Sequence, residues 1–187
     1  MIHCIVLAAG FGRRFAGDKL NADVDGKPMY RHVLDLLTEL SREGLCDVRV
    51  VTRRGALSGC DNAVFNDRAE EGVSSSIRCG LDALPDDGLP TAFFVADQPF
   101  LKIETVRGFL RAYDACGKGI LCAAWNGRGG NPVLFHRKYE AELRSLQGDV
   151  GGKAVLRRHT DDAAYYQVSG ERELEDLDHN TEIGGRA

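Results

Sequence analysis

Short apolar runs alternate with segments of helical periodicity along nearly all of this 187-residue chain, and that alternation constrains its fold most. Residues 2–8, 48–52, 63–65, 91–96, 119–124, 132–135 and 163–168 read as strands. Between them, apolar residues recur at helical spacing. Met29, Val33, Leu36, Leu37 and Leu40 follow Pro28, and Val73, Ile77, Leu81 and Leu84 follow Gly72. Val106, Phe109, Leu110 and Tyr113 mark a third helix, Tyr139, Leu143 and Leu146 a fourth, and residues 153–158 a fifth. Such alternation implies a mainly parallel sheet with helices on both faces, a three-layer α/β architecture. Ligands of open α/β sheets bind beyond the carboxyl ends of the strands, so the loops at that edge are the ones to compare.

The first of these loops carries the most chemistry. The strand at residues 2–8 empties into Ala8-Ala9-Gly10-Phe11-Gly12-Arg13-Arg14-Phe15-Ala16-Gly17-Asp18-Lys19. Small residues leave backbone amides bare, and Arg13, Arg14 and Lys19 bring fixed cations to the same place. Amides and cations converging on clustered negative charge make a polyphosphate pocket. The loop matches neither common phosphate motif. A dinucleotide fingerprint needs a third glycine where Phe15 stands, and a Walker A loop needs Gly-Lys-Ser/Thr, whereas Gly17 precedes Asp18. The plainer account is an ordinary glycine-rich junction with surface cations.

Other loops at that edge offer partners. Ser74, Ser75 and Ser76 crowd a helix start after Gly72, where they either cap the helix or line a base and ribose. Asp97 follows a wholly apolar strand and is expensive to desolvate unless paired. Beside phosphates its natural partner is Mg²⁺, which takes one or two carboxylates plus phosphate oxygens; the alternative is a turn cap. Gly127 to Pro132 reads as a glycine-rich approach to a strand, either a plain turn or close passage of a ligand. Lys153 begins a helix, where its charge opposes the dipole unless it meets an anion. Asp176 and Asp178 would face one way on a strand and either complete a metal site or belong to a solvated acidic tail.

The bulk numbers exclude several classes. A net charge of −4 gives no sign of a nucleic-acid or anionic-membrane surface. No apolar run reaches the ~20 residues needed to span a bilayer, and no basic segment precedes the first strand as in a signal peptide. Cys4, Cys46, Cys60, Cys79, Cys116 and Cys122 form no Cys-x-x-Cys pair, which points to reduced thiols in a cytoplasmic protein. The five histidines lack metal-ligand spacing, and no serine sits in a Gly-x-Ser-x-Gly elbow.

Together these stretches resemble the nucleotidyltransferases that attach a nucleotide to molybdopterin, most nearly the molybdenum cofactor cytidylyltransferase branch. The matching residues are Leu7-Ala8-Ala9-Gly10 with Arg14 and Lys19, Asp25-Gly26-Lys27-Pro28, Gly72-Val73-Ser74-Ser75-Ser76-Ile77, Ala96-Asp97-Gln98-Pro99, Gly130-Asn131-Pro132-Val133, Gly148-Asp149-Val150-Gly151 and Asp176-Leu177-Asp178. They run in the family's order along nearly the whole chain. The resemblance implies one domain over residues 1–187 with a Rossmann-like, nucleotide-diphospho-sugar-transferase type of fold and a mostly parallel mixed sheet of about seven strands. It implies transfer of CMP from CTP to a phosphate on molybdopterin, with release of pyrophosphate. On that mapping Arg14 and Lys19 hold the triphosphate, Asp97 binds Mg²⁺ and Asp178 completes the metal site. Leu7, Ala8, Ala9, Gly10, Phe11, Gly12, Arg13, Gly72, Ser74 and Ser75 would surround the nucleotide. Gln98, Asn131, Asp149 and Lys153 would face the acceptor.

The implied partners are CTP, molybdopterin or its molybdenum form, and a recipient molybdoenzyme, with no nucleic acid and no membrane. Alanine at position 9, where the guanylyl branch tends to have glycine, leans toward CTP. Ala16 stands where a glycine is common, and His179-Asn180 replaces the usual Thr-Pro. Two other readings fit the same residues. One is nucleotidyl transfer to another acceptor, such as a sugar phosphate or methylerythritol phosphate. The other is a non-catalytic carrier of the molybdenum cofactor.

Overall fold

The computed structural model describes residues 1–12, 15, 17–60 and 62–178; Arg13, Arg14, Ala16, Asp61 and residues 179–187 lie outside the described part. The chain runs β1 (Ile2–Ala8), β2 (Asp23–Val24), β3 (Lys27–Pro28), α1 (Met29–Arg42), β4 (Cys46–Thr52), β5 (Ala63–Phe65), α2 (Val73–Asp82) and β6 (Thr91–Val95). It continues through α3 (Ile103–Cys116), β7 (Ile120–Trp125), β8 (Arg128–Phe135), α4 (Glu140–Arg144), α5 (Lys153–Arg158) and β9 (Ala163–Gln167). Among the described residues, seven strands form one sheet in the order β5-β4-β1-β6-β8-β7-β9, and β2 and β3 form a separate two-stranded ribbon. Only β8 runs against its neighbours in the large sheet. The mixed α/β sheet expected from the sequence is therefore present.

The apolar pattern explains the layers. Successive side chains of a strand point to opposite faces. Cys4, Val6 and Ala8 of β1 pack with Val33, Leu37 and Leu40 of α1 and with Val106, Phe109 and Leu110 of α3. Ile5 and Ala9 face the other way, onto Ile77 and Leu81 of α2, Leu143 of α4 and Val155 of α5. Because both faces are covered, β1 needs a continuous apolar run rather than an alternating one. A side chain as fully enclosed as Leu37 contributes about 1.5–3 kcal/mol on burial. The alternation of strand and helix fixes which loops share an edge: β1, β4 and β6 are parallel neighbours, so their carboxyl ends open side by side.

Two expectations need correction. The sequence predicts a short strand from Pro132 to Phe135, but β8 begins at Arg128 and contains that proline. Asn126 (φ 47°) and Gly127 (φ 80°) form the turn between β7 and β8. Two consecutive positive φ values match the twist of a tight hairpin, so Trp125 pairs directly with Arg128. Pro132 lies where the pairing shifts register opposite the Cys122–Ala124 stretch, a bulge at which a missing N–H costs little. The second correction concerns Asp176 and Asp178, which lie on no strand. The chain after β9 makes a short 3₁₀ turn at Glu171–Leu174 and then runs irregularly to Asp178.

Candidate active site

The loop after β1 forms one wall of a cavity of about 650 Å³ at the carboxyl edge of the sheet. Leu7, Ala8, Ala9, Gly10, Phe11 and Gly12 all line it, with Gly17, Asp18 and Lys19 from the end of the same loop. The start of α2 supplies Gly72, Val73 and Ser76, and the end of β6 supplies Asp97. Ala8 and Ala9 are buried and Gly10 is exposed, so the small residues do bring the chain to the cavity without filling it.

Lys19 is the centre of the polar arrangement. Its Nζ donates to Asp97 Oδ2 at 2.6 Å and to Asp178 Oδ1 at 2.8 Å. Residues 78 and 159 positions away in the sequence thus meet at one ammonium. The Lys19 side chain is only 10% exposed. Burial works against its charge, but hydrogen bonds and attraction from Asp178 and Asp97 more than reverse that, and the ammonium is held above its ordinary range. Residue 176 as a whole is exposed, yet its carboxyl is desolvated enough to be pushed up, with the charges of Asp97 and Asp178 adding to the effect. Lys153 and a hydrogen bond from Gln98 oppose that rise. Three carboxylates and Lys153 therefore border one patch at the end of β6.

The carboxylate pair fits a hard divalent cation. Asp97 and Asp178 already converge on a single positive atom at hydrogen-bonding distance, and their oxygens are the ligand type that Mg²⁺ prefers. Among the described residues no group of three or more His, Cys, Asp or Glu could hold a metal. Mg²⁺ typically takes one or two carboxylates and fills its remaining positions with phosphate oxygens and water.

The second wall is held by the meeting of two loops. Gly72 Cα sits so close to the 148–149 backbone that an added Cβ would lie 2.4 Å from Gly148 C. Ser74 N donates to Gly148 O at 3.1 Å, and Asp149 Oδ1 accepts from Val73 N at 3.3 Å. Asp149, expected near the acceptor, thus caps α2 and lines the same cavity as the loop after β1. Ser74 and Ser75 face inward instead. Ser74 is wholly buried, and Ser75 Oγ donates to Gly72 O at 2.8 Å while accepting from Asn66 Nδ2 at 2.9 Å. Of the serines, Ser76 is the one that reaches the cavity wall.

Of the other residues expected near the acceptor, Gln98 is 1% exposed and donates from Nε2 to Leu174 O at 3.0 Å. Asn131 is partly buried on β8, and Lys153 is the first residue of α5. Arg13 and Arg14 lie outside the described residues, as do His179 and Asn180. Sequence reasoning missed Arg53, which lines the cavity directly after β4. Its guanidinium carbon lies 4.5 Å from the Phe11 ring centre, within cation–π range. The signal was available: Arg53 follows a strand at the same carboxyl edge. Arg53 and Lys19 are the basic residues among the described lining residues, facing Asp18, Glu70, Asp97 and Asp149.

Fold and site together define a nucleotide-binding α/β protein whose cavity lies at the carboxyl edge of the sheet. The chain belongs to the family described as MobA-like NTP transferase domain, whose model matches residues 4–163. It is 33% identical over 128 residues to the bifunctional protein GlmU of Cupriavidus metallidurans, a match covering 64% of this chain and 27% of GlmU. The chain thus spans about a quarter of the length of that curated relative. Among solved structures it resembles Rv0371c of Mycobacterium tuberculosis H37Rv, with a TM-score of 0.81 at 21% identity over 97% of this chain and 95% of that one. A manganese complex of that mycobacterial protein aligns with a TM-score of 0.72 at 21% identity, covering 90% and 89% of the chains. A nucleotidyl transferase from Methanothermobacter thermautotroptrophicus aligns with a TM-score of 0.78 at 20% identity over 97% and 94%. These likenesses match the mixed seven-stranded fold. No helix among the described residues is long and apolar enough to cross a membrane.

Proposed function

We propose that this protein transfers CMP from CTP to the phosphate of molybdopterin or of its molybdenum form, releasing pyrophosphate. The observation that carries the reading is the Lys19–Asp97–Asp178 cluster at the end of a small-residue loop, with Lys19 and Asp97 lining a cavity of nucleotide size. Membership of an NTP transferase family supports the reaction class. The cytidylyl and molybdopterin choices rest on the ordered sequence stretches, above all Ala9, Gly130-Asn131-Pro132 and Gly148-Asp149-Val150-Gly151.

The reaction needs little proton chemistry. An oxygen of the acceptor phosphate attacks the α-phosphorus of CTP, and the bond from that phosphorus to the bridging oxygen of the β-phosphate breaks. The electron pair leaves with pyrophosphate. The difficulty is accumulated negative charge and in-line alignment, which fixed cations and dipoles address. Lys19 supplies a fixed positive charge to the triphosphate, alongside Arg14 on the family mapping. Asp97 and Asp178 would hold Mg²⁺, which when bound would neutralise the phosphates and stabilise the leaving group. The Ala8 to Gly12 backbone lets the nucleotide approach closely, with Gly72 and the start of α2 on the opposite side. Asn131 and Lys153 would flank the acceptor, while the buried Gln98 holds Leu174 O. The manganese complex of the mycobacterial relative supports a divalent cation in this fold. Six free cysteines suit a reducing, cytoplasmic setting.

Product analysis tests the choice of substrates. Incubation with Mg²⁺, CTP or GTP, and molybdopterin should give a pterin heavier by one CMP and only with CTP. Transfer to a simple sugar phosphate or to methylerythritol phosphate instead would replace the acceptor. Tight pterin binding with no pyrophosphate released would favour a carrier.

A further inference from the structure

Asp178 owes its place to a strap of chain that lies outside the α-helices and strands. After β9 ends at Gln167, residues 168–178 cross the carboxyl edge of the sheet from the β9 edge to the end of β6. The strap is tied down at successive points. Val168 N donates to Ala124 O at 2.9 Å. Leu174 O accepts from Gln98 Nε2 at 3.0 Å. Leu177 N donates to Asp97 O at 3.0 Å, and its side chain is buried with Phe15, Val24 and Met29. The strap therefore packs on the loop that bears Lys19 as well as reaching it.

Between the first and second ties lies Glu173, a carboxylate only 2% exposed and not part of the cavity lining. Burial of an ion is costly unless its oxygens are satisfied, and here they are. Oε1 accepts from Ser169 N at 3.0 Å and from the Ser169 hydroxyl; Oε2 accepts from Lys102 N at 3.2 Å. Thr105 adds a side-chain hydrogen bond. Burial alone would raise the Glu173 carboxyl, but these bonds more than offset it and hold the group below its ordinary range. Lys102 is the residue before α3, whose amino end has no side-chain cap of its own. Glu173 thus closes a turn within the strap and fastens it to the amino end of a 14-residue helix, where a carboxylate is favoured by the dipole.

The geometry points to Glu173 as a positioning residue for the metal ligand Asp178: it pins the strap to α3, so that Asp178 reaches the Asp97–Lys19 pair. A buried charge with no other task visible in the cavity is explained by that role. The inference rests on the metal-dependent reading above, and its test separates the two. Mn²⁺ binding would be measured on the full chain without nucleotide, together with hydrogen exchange of residues 174–178. Glu173→Ala should weaken Mn²⁺ binding several-fold and speed exchange across 174–178 at least tenfold, with exchange in β1 and β4 unchanged. Ser169→Ala, which removes one hydroxyl and keeps the buried carboxylate, should move both readouts the same way by less. It also supplies the answer if Glu173→Ala does not fold. Wild-type Mn²⁺ affinity retained in a variant with a loosened strap, or an unaltered strap in both variants, would overturn the inference. Failure of the wild type to bind Mn²⁺, or full binding by Asp97→Asn, would instead overturn the metal reading and the inference with it.

Discussion

Gly72 has φ 96° and ψ −177°, backbone that is essentially restricted to glycine. Gly148, packed directly against it, leaves no room for a methyl group. Gly72→Ala is therefore expected to cost on the order of 1–3 kcal/mol from backbone strain alone, with the backbone clash added. Denaturant titration would show the loss, and an unchanged midpoint would contradict the close packing of the two loops. The sequence placed a glycine before a serine-rich helix start but could not say which serines face inward. Helical spacing ranks positions by face only when apolar residues mark the faces, and Ser74, Ser75 and Ser76 are all polar. Arg53 went unread for a different reason: a single arginine after a strand looks like any surface cation until Phe11 is seen beneath it.

The elements were legible where periodicity was strong. The helical stripes of α1, α2 and α3 and the apolar runs of β1, β4 and β6 needed no tertiary knowledge. β8 was misjudged because Gly129, Gly130, Asn131 and Pro132 are poor strand formers taken alone. Pairing of Arg128 and Gly129 with Trp125 and Ala124 across the hairpin outweighs that preference, and the Asn126-Gly127 dipeptide was the available signal for it. Another element boundary carries a pH prediction. Asp162, just before β9, accepts from Gly119 N at 3.1 Å and from Tyr139 Oη at 2.5 Å, and pairs with Lys138 Nζ at 2.7 Å. Lys138, then Tyr139 and Gly119, hold its carboxyl far below the usual range. A depressed native pKa gives stability that is present above the unfolded value of about 3.9 and lost as pH falls through the native one. Asp162→Asn should thus be less stable than the wild type at pH 7, with the gap narrowing only below about pH 4. A gap independent of pH down to acid unfolding would contradict the ionic account.

For the whole molecule, the sequence supplied the cast of the site but not its central contact. Lys19 was expected at phosphates, and Asp97 and Asp178 at a metal; nothing in the spacing showed that the lysine and both carboxylates would share one point. That arrangement depends on a strap following the last strand, whose irregular backbone has no periodic signature. The account stands on this cluster, and acceptor-dependent pyrophosphate release in Mg²⁺ measures it most directly, comparing wild type with Asp97→Asn. Losing one charge-stabilising contact typically costs about 2.7–4 kcal/mol of barrier, roughly 10²–10³ in rate. Wild-type release with CTP and the pterin acceptor, lowered by that factor in a folded Asp97→Asn protein, is the predicted result. Equal release by the two proteins, or none from the wild type with any nucleoside triphosphate and acceptor, would contradict it.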